Sequence, residues 1–203
     1  MMLEERKELL KAALDEFAEV GLINSSLESI SDRAKLEPAV ARALFVDKET
    51  LLGEMLKEET EPMVSAIALA VQEIEDPKEL IRKSMKLLDQ WLLTHPKYVR
   101  LYMRCSLDGA SVLQSLYQHS LLPSEFYERL EQIIGKGQFR CNDIFILSLL
   151  LDSLIVFFHM MRPGVELMNP GQSVEQITEQ RFEAVIDLLE NGLFLEKGAE
   201  SES

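Results

Sequence analysis

Apolar positions in the first part of the chain recur at the spacing of an amphipathic helix. They are three and four residues apart, so they share one helix face, and most charged positions fall elsewhere. The residues of this face are Leu10, Ala13, Leu14, Phe17 and Ala18. Gly21 follows them and predicts the end of this first helix.

Three further helical segments follow, each with its own start signal. Ser25 and Ser26 can cap a second helix over residues 27–34, because serine oxygens accept hydrogen bonds from the free amides of a first turn. Pro38 lacks the N–H group that a first turn leaves unpaired, so a third helix over residues 39–45 is predicted to start there. Asp47 is predicted to cap a fourth helix over residues 48–60. This order of elements outlines a helix-turn-helix.

The same segment resembles the N-terminal domain of TetR-family transcriptional regulators. The family pattern is matched in order by Ala12, Ala13, Phe17, Gly21, Ile30, Ala34, Phe45, Lys48, Glu49, Leu51 and Leu52. The resemblance implies an all-α fold with a helix-turn-helix DNA-binding domain over residues 1–52. It implies a helical ligand-binding and dimerisation domain over residues 53–203. It also implies a homodimer that binds double-stranded operator DNA.

The segment that would read DNA departs from the family pattern. Lys35, Leu36 and Glu37 stand in the turn, where the family has a glycine, a small apolar residue and a serine or threonine. The residues predicted to hold phosphates are Arg33, Lys35, Arg42 and Lys48, and those predicted to lie in the groove are Ala39, Val40 and Ala43. Short apolar side chains can touch a thymine methyl group but cannot hydrogen-bond a base edge. Few direct contacts that distinguish bases are therefore expected.

Charge in this region also opposes DNA affinity. Residues 1–52 hold seven Lys or Arg against eleven Asp or Glu, a net charge of −4, whereas phosphate binding favours positive charge. Two function classes therefore stay open. In the first, the homodimer represses a promoter. In the second, the same fold has lost DNA binding and acts as a ligand-binding or protein-interaction module.

Composition indicates a cytoplasmic protein. The 203 residues are 47% hydrophobic and carry a net charge of −14, which disfavours generic binding to nucleic acid or anionic membranes. Cys105 and Cys141 form no Cys-x-x-Cys pattern, so reduced thiols in a cytosol are the simplest interpretation, with a redox-sensing disulfide as the alternative. The N-terminal residues are acidic and lack the apolar core of a signal peptide, which argues against export.

One apolar stretch, residues 144–161, has the minimum length of a membrane span. Asp152 and His159 are its ionisable positions, and Arg162, Pro163 and Gly164 are predicted to close it. A charge in mid-span is costly, so a buried helix at a subunit interface is predicted and membrane binding is not. Asp152 is expected to pair with His159 or with an arginine of a partner subunit.

The resemblance implies dimerisation through the last two helices, here residues 143–161 and 173–195, packed against the partner's pair as a four-helix bundle. Ser173 is predicted to cap the second of these helices together with Gln176. The predicted interface residues are Leu147, Leu151, Leu154, Phe158, Phe182, Val185, Ile186 and Leu189.

The middle of the chain reads as helices separated by prolines. Breaks are predicted at Pro62, Pro77, Pro96 and Pro123, and the last three of these are predicted to start helices, for about nine helices and no sheet. A small, largely hydrophobic effector is predicted. Its proposed lining is Met85, Leu88, Trp91, Tyr98, Tyr102, Met103, Phe126, Phe157 and Met160. The resemblance implies that effector binding favours a spacing of the dimer's two helix-turn-helix modules that no longer fits successive major grooves. The DNA is then released.

Patterns of catalytic residues are absent from the sequence. His95, His119 and His159 lack metal-ligand spacing, and no Gly-x-Ser-x-Gly elbow occurs. The sequence therefore predicts no enzyme activity, no cofactor and no metal site.

Overall fold

Nine α-helices form the regular structure of residues 2–108 and 122–194, which are the residues that the computed structural model describes. They are α1 (Met2–Val20), α2 (Leu27–Ala34), α3 (Pro38–Leu44), α4 (Lys48–Glu73), α5 (Pro77–Thr94), α6 (Pro96–Asp108), α7 (Ser124–Gly135), α8 (Ile144–Met168) and α9 (Val174–Gly192). An isolated β-bridge joins Phe139 and Phe194. The predicted all-α fold is confirmed. His119 lies outside the described residues. The last helix, predicted to extend to residue 195, ends at Gly192.

Most of the predicted helix starts are confirmed. Ser26 caps α2, and its hydroxyl accepts from the amide of Ser29 at 3.0 Å in a capping box. Asp47 Oδ1 accepts from the amide of Thr50 at 2.7 Å at the start of α4. Ser173 and Gln176 form a second capping box at α9. Prolines 38, 77 and 96 are the first residues of their helices, where the missing N–H group has no helical partner to lose.

Two of the helix breaks predicted at prolines are wrong. Pro62 lies inside α4, and Pro163 lies inside α8, which continues to Met168. Tertiary burial on both sides explains the continuation of α4, because Leu56 and Met63 flank Pro62 and are at most 5% exposed. In α8 the residue before the proline, Arg162, donates a hydrogen bond of 2.8 Å to the carbonyl of Leu93. Such contacts compensate for the lost backbone hydrogen bond.

The chain divides into two compact units. The first holds residues 2–62 and 94–108, and the second holds residues 63–93 and 122–194. In the first unit α1 packs against α2 and α3 and along α6. In the second unit both α7 and α9 pack against α8. The predicted module of residues 1–52 falls within the first unit, and its boundary as a DNA-binding domain stays a prediction. Sequence patterns gave no sign that α6 joins this unit.

Candidate nucleic-acid interface and subunit surface

Helices α2 and α3 are joined by a short turn that leaves the outer side of α3 in solvent. Lys35 ends α2 in a left-handed conformation, with φ of 58°, and its amide bonds to the carbonyl of Asp32 at 3.1 Å. Ile30 and Ala41 anchor the two helices and are fully buried. Ala39, Arg42 and Ala43 are exposed on α3, and Val40 is half-buried. The predicted groove residues therefore lie on one small, mostly aliphatic surface.

Arg42, at the centre of this surface, is paired with a carboxylate of α2. Its Nη1 lies 2.7 Å from Glu28 Oε1, and both side chains are more than half exposed. An exposed ion pair of this kind is worth about 0–1 kcal/mol. Arg42 can therefore exchange its carboxylate partner for a phosphate at little energetic cost.

Arg33 is held more firmly by α1. Its guanidinium lies 2.9 Å from Glu16 Oε2 and 2.8 Å from Glu19 Oε2, and Glu16 is itself buried. The hydrogen bond from Arg33 lowers the pKa of Glu19. The contact ties α2 to α1, and the role of Arg33 toward phosphates stays a prediction.

Lys48 points its ammonium group at the turn between α1 and α2. Nζ donates to the carbonyls of Leu22 at 2.7 Å and Ser25 at 3.0 Å, and it lies 3.4 Å from the carbonyl of Ile23. A lysine has three donors, and these contacts occupy them. The phosphate role of Lys48 stays a prediction, but in this structure its ammonium supports the backbone of the turn.

Lys35 borders an open polar cleft of about 260 Å³ between α1 and the end of α2. The cleft is lined by Glu8, Lys11, Ala12, Asp15, Arg33, Ala34 and Lys35. Asp15 is paired with Lys97 of α6. Lys35 itself is exposed and forms no ion pair with any described residue, so its charge is available to a partner.

The second surface is a row of apolar side chains along α8. We call it the α8 stripe; it consists of Phe145, Ile146, Leu149, Leu150, Phe157 and Met161, which fall on one side of the helix. Each is between 39% and 65% exposed. A solvent-facing row of large apolar side chains is unusual in a monomer and typical of a protein interface.

The residues predicted to form the subunit interface occupy different positions. Leu147, Leu151, Phe182, Val185, Ile186 and Leu189 are buried within the chain, at most 7% exposed, while Leu154 and Phe158 are half-buried. A side chain buried in its own chain has little surface left for a partner, and the role of these residues at a subunit interface stays a prediction. Sequence reasoning missed the α8 stripe because α8 is apolar on all sides, and periodicity then cannot distinguish an inner face from an outer one.

A buried charged cluster connects α5, α8 and α9. His159 Nε2 lies 2.8 Å from Asp89 Oδ1, and Arg181 is paired with the same carboxylate. Arg181 also donates to the carbonyl of Leu154 at 3.1 Å and stacks on Phe158. His159 therefore pairs with Asp89 and not with Asp152. The alternative pairing of Asp152, with an arginine of a partner subunit, stays a prediction.

Asp152 has no ion pair among the described residues. It is half-buried on the apolar helix α8, and burial raises its pKa to about 6. Desolvation disfavours the charged carboxylate, which accounts for the direction of this change.

The nine predicted ligand-lining residues divide between the two units. In the second unit Met85, Leu88 and Phe126 are fully buried, Trp91 and Met160 are half-buried, and Phe157 belongs to the exposed α8 stripe. In the first unit α6 carries Tyr98, which is buried, Tyr102, which is half-buried, and Met103, which is 36% exposed. Burial raises the pKa of Tyr98. A ligand role for these nine residues stays a prediction.

Within the described part of the chain, α8 is the one helix long and apolar enough to cross a membrane. Core helices of soluble proteins satisfy the same criterion of length and composition. The pairing of buried His159 with Asp89 shows that one side of α8 packs inside the protein, although only 28% of its most apolar window is buried.

Solved structures share this fold over nearly the whole chain, although no protein-family model and no curated protein matches the sequence. A TetR family transcription regulator from Marinobacter aquaeolei has a TM-score of 0.69 at 16% identity, covering 95% of this chain and 96% of that chain. A Clostridium perfringens protein, described as a candidate fatty acid metabolism regulator, has a TM-score of 0.71 at 19% identity, covering 93% and 100%. A candidate transcriptional regulator from Saccharomonospora viridis in complex with choline has a TM-score of 0.64 at 16% identity, covering 95% and 99%.

These likenesses define the class of fold. The chain has the fold of TetR-family transcriptional regulators, an N-terminal helix-turn-helix followed by a helical domain. The resemblance first indicated by the N-terminal motif is confirmed at this level.

Proposed function

We propose that this protein is a TetR-like transcriptional repressor that binds operator DNA as a homodimer and is released by a small, largely hydrophobic ligand. The observation that carries the proposal is the exposed outer side of α3, held behind a short turn on the buried anchors Ile30 and Ala41. A helix presented in this way fits the major groove of DNA. The solved structures that share the fold include transcription regulators, which supports the same function.

In this proposal Arg42 and Lys35 make the main phosphate contacts. Arg42 lies in the middle of the exposed surface, and its exposed pair with Glu28 is easily replaced. Lys35 is exposed at the turn before α3. Ala39, Val40 and Ala43 lie against base edges, where they sense thymine methyl groups and the shape of the groove.

The α8 stripe forms the dimer interface in this proposal. Two copies related by a twofold axis bury the same residues on both sides, which removes the exposed apolar row from water. A symmetric dimer places two helix-turn-helix modules on two half-sites, so the operator is expected to be palindromic. A soluble, cytoplasmic protein is consistent with this arrangement.

The effector is proposed to be small and mostly apolar. The second unit supplies Met85, Leu88, Trp91, Phe126 and Met160, whose side chains are apolar or polarisable and are all at least half-buried. The choline complex of the Saccharomonospora viridis protein is an example of a small ligand bound to this fold.

The test is selection of bound fragments from random-sequence DNA with purified protein at two salt concentrations. A recovered palindrome whose affinity falls steeply with salt supports a phosphate-anchored dimer. Arg42→Ala should then lower affinity about tenfold, both for that fragment and for unrelated DNA sequences. It should also reduce the slope of log affinity against log salt concentration by about one. Lys57→Ala, which removes an exposed lysine from α4, is the matched control.

Failure to enrich any sequence at low salt, from protein shown to be a folded dimer, would overturn the repressor function. The protein would then be a TetR-fold module that has lost DNA binding and acts on ligands or protein partners.

A further inference from the structure

The backbone of Leu22 is held from two sides by charged side chains that are distant in the sequence. Asp108 Oδ2 accepts a hydrogen bond from the Leu22 amide at 3.2 Å. Lys48 Nζ donates to the Leu22 carbonyl at 2.7 Å. Asp108 is the last residue of α6, and Lys48 is the first residue of α4. One residue of the turn between α1 and α2 is therefore fixed by two other helices of the same unit.

The turn is packed closely against the end of α6. Gly21 ends α1 with φ of +84°, and a Cβ atom added there would lie 2.9 Å from Asp108 Oδ2. The Ser25 hydroxyl donates to the Gly21 carbonyl at 2.6 Å, which closes the turn on itself. Hydrogen bonds to charged partners are stronger than those between neutral groups, so both contacts at Leu22 resist displacement.

Helix α6 is attached to α1 along its length. Lys97, near the start of α6, is paired with Asp15 of α1. Between this pair and Asp108, the side chains of Leu101 and Cys105 are fully buried. The contact of α6 with the helix-turn-helix module thus extends from α1 to Leu22, in the turn that precedes α2.

We propose that Asp108 and Lys48 are positioning residues that fix α2, and with it α3, relative to α1 and α6. The Leu22 backbone couples them, because Asp108 accepts from its amide and Lys48 donates to its carbonyl. The effect on DNA affinity rests on the proposed function, whereas this coupling does not.

Hydrogen exchange of the full-length protein tests the coupling directly. Asp108→Ala should speed exchange of the Leu22 amide about tenfold or more and should also speed exchange within α2. Asp108→Asn keeps an oxygen acceptor in the same place and should restore most of the protection. Lys48→Met should speed exchange within α2 as well, because it frees the turn from α4.

Asp76→Ala is the matched control. Asp76 Oδ2 accepts from the amide of Glu79 at 3.1 Å, so this variant also removes a carboxylate from a backbone amide, but in the second unit. It should leave the exchange of Leu22 and α2 unchanged. A comparable thermal midpoint for Asp76→Ala and Asp108→Ala separates a local effect from general loss of stability.

Operator affinity provides the second readout. Asp108→Ala should weaken binding to the selected DNA fragment about tenfold, and Asp108→Asn should restore it. The inference is overturned if Asp108→Ala exchanges at Leu22 and α2 as the wild type does, or if Asp108→Asn is as impaired as Asp108→Ala. Wild-type protein that selects no DNA would refute the proposed function alone, since the exchange measurements would still decide the coupling.

Discussion

Helices α3 and α8 carry the two surfaces proposed to meet partners, and they differ in size and chemistry. The α3 surface comprises Ala39, Arg42 and Ala43, and its one charge is neutralised by Glu28. The α8 stripe offers six large apolar side chains. Apolar burial gives strong association, whereas a small surface with few donors gives weak contact to DNA. In the proposed function, a stable dimer therefore has to compensate for the limited affinity of each α3 helix for DNA.

The largest effect is expected from charges placed on the α8 stripe. The double variant Leu150→Glu, Phe157→Glu should weaken the dimer about 1000-fold, because two carboxylates per copy would have to be desolvated at the interface. Sedimentation of the variant across a concentration series measures this. Leu69→Glu alters a residue of α4 that is 65% exposed and outside the stripe, so it should leave the dimer intact. A double variant that stays dimeric contradicts the assignment of the interface.

Replacing the prolines of α8 and α3 by alanine is expected to change the free energy of unfolding in opposite directions. Pro163 is exposed inside α8, where it removes a backbone hydrogen bond, so Pro163→Ala should raise the free energy of unfolding by about 2 kcal/mol. Pro38 is the first residue of α3, so Pro38→Ala should lower it by roughly 0.5 kcal/mol. Urea unfolding of both variants provides the comparison. Equal changes for the two variants would show that helix position does not govern the effect.

The carboxyl group of Asp152 should make α8 sensitive to pH. Its folded-state pKa, about 6, lies above the ordinary value of 3.8, so the folded state binds the proton more tightly and stability falls as pH rises through this range. Asp152→Asn should therefore stabilise the protein by about 1–2 kcal/mol at pH 7.5 and by about 0 at pH 4. Thermal unfolding at the two pH values measures the difference. A pH-independent gain would contradict desolvation of this carboxyl group.

The smallest effect is expected at the ion pair of α3. Glu28→Gln removes the carboxylate that competes with phosphate for Arg42, so affinity for the selected DNA fragment should rise about threefold. Glu61→Gln, on an exposed carboxylate of α4, is the control. Fluorescence anisotropy at one fixed salt concentration measures both variants. A loss of affinity in Glu28→Gln would mean that the pair orients Arg42 for binding.

Local signals in the sequence predict the fold well where chain geometry alone decides the outcome. The caps at Ser26 and Ser173 and the helix start at Pro77 depend on neighbouring backbone groups, which the sequence displays directly. Pro62 and Pro163 were misjudged because burial and distant contacts, which the sequence does not display, keep their helices continuous.

In the candidate sites, too, the sequence shows local features but not contacts made by tertiary packing. The sequence places Arg42 on α3, but it does not reveal that Glu28 pairs with it or that Lys48 binds the carbonyls of a turn. These partners come together only through tertiary packing. Asp108 gave no signal, because its role depends on α6 lying beside α1.

The most direct test of the account is the affinity for the selected DNA fragment, measured for the wild type and for the variant Leu150→Glu, Phe157→Glu. If dimerisation through the α8 stripe compensates for the low DNA affinity of each α3 helix, the wild type should bind as two copies per palindrome. The monomeric variant should then bind about 100-fold more weakly at the same salt concentration. Equal affinities for the two proteins, or one copy of the wild type per fragment, would contradict it.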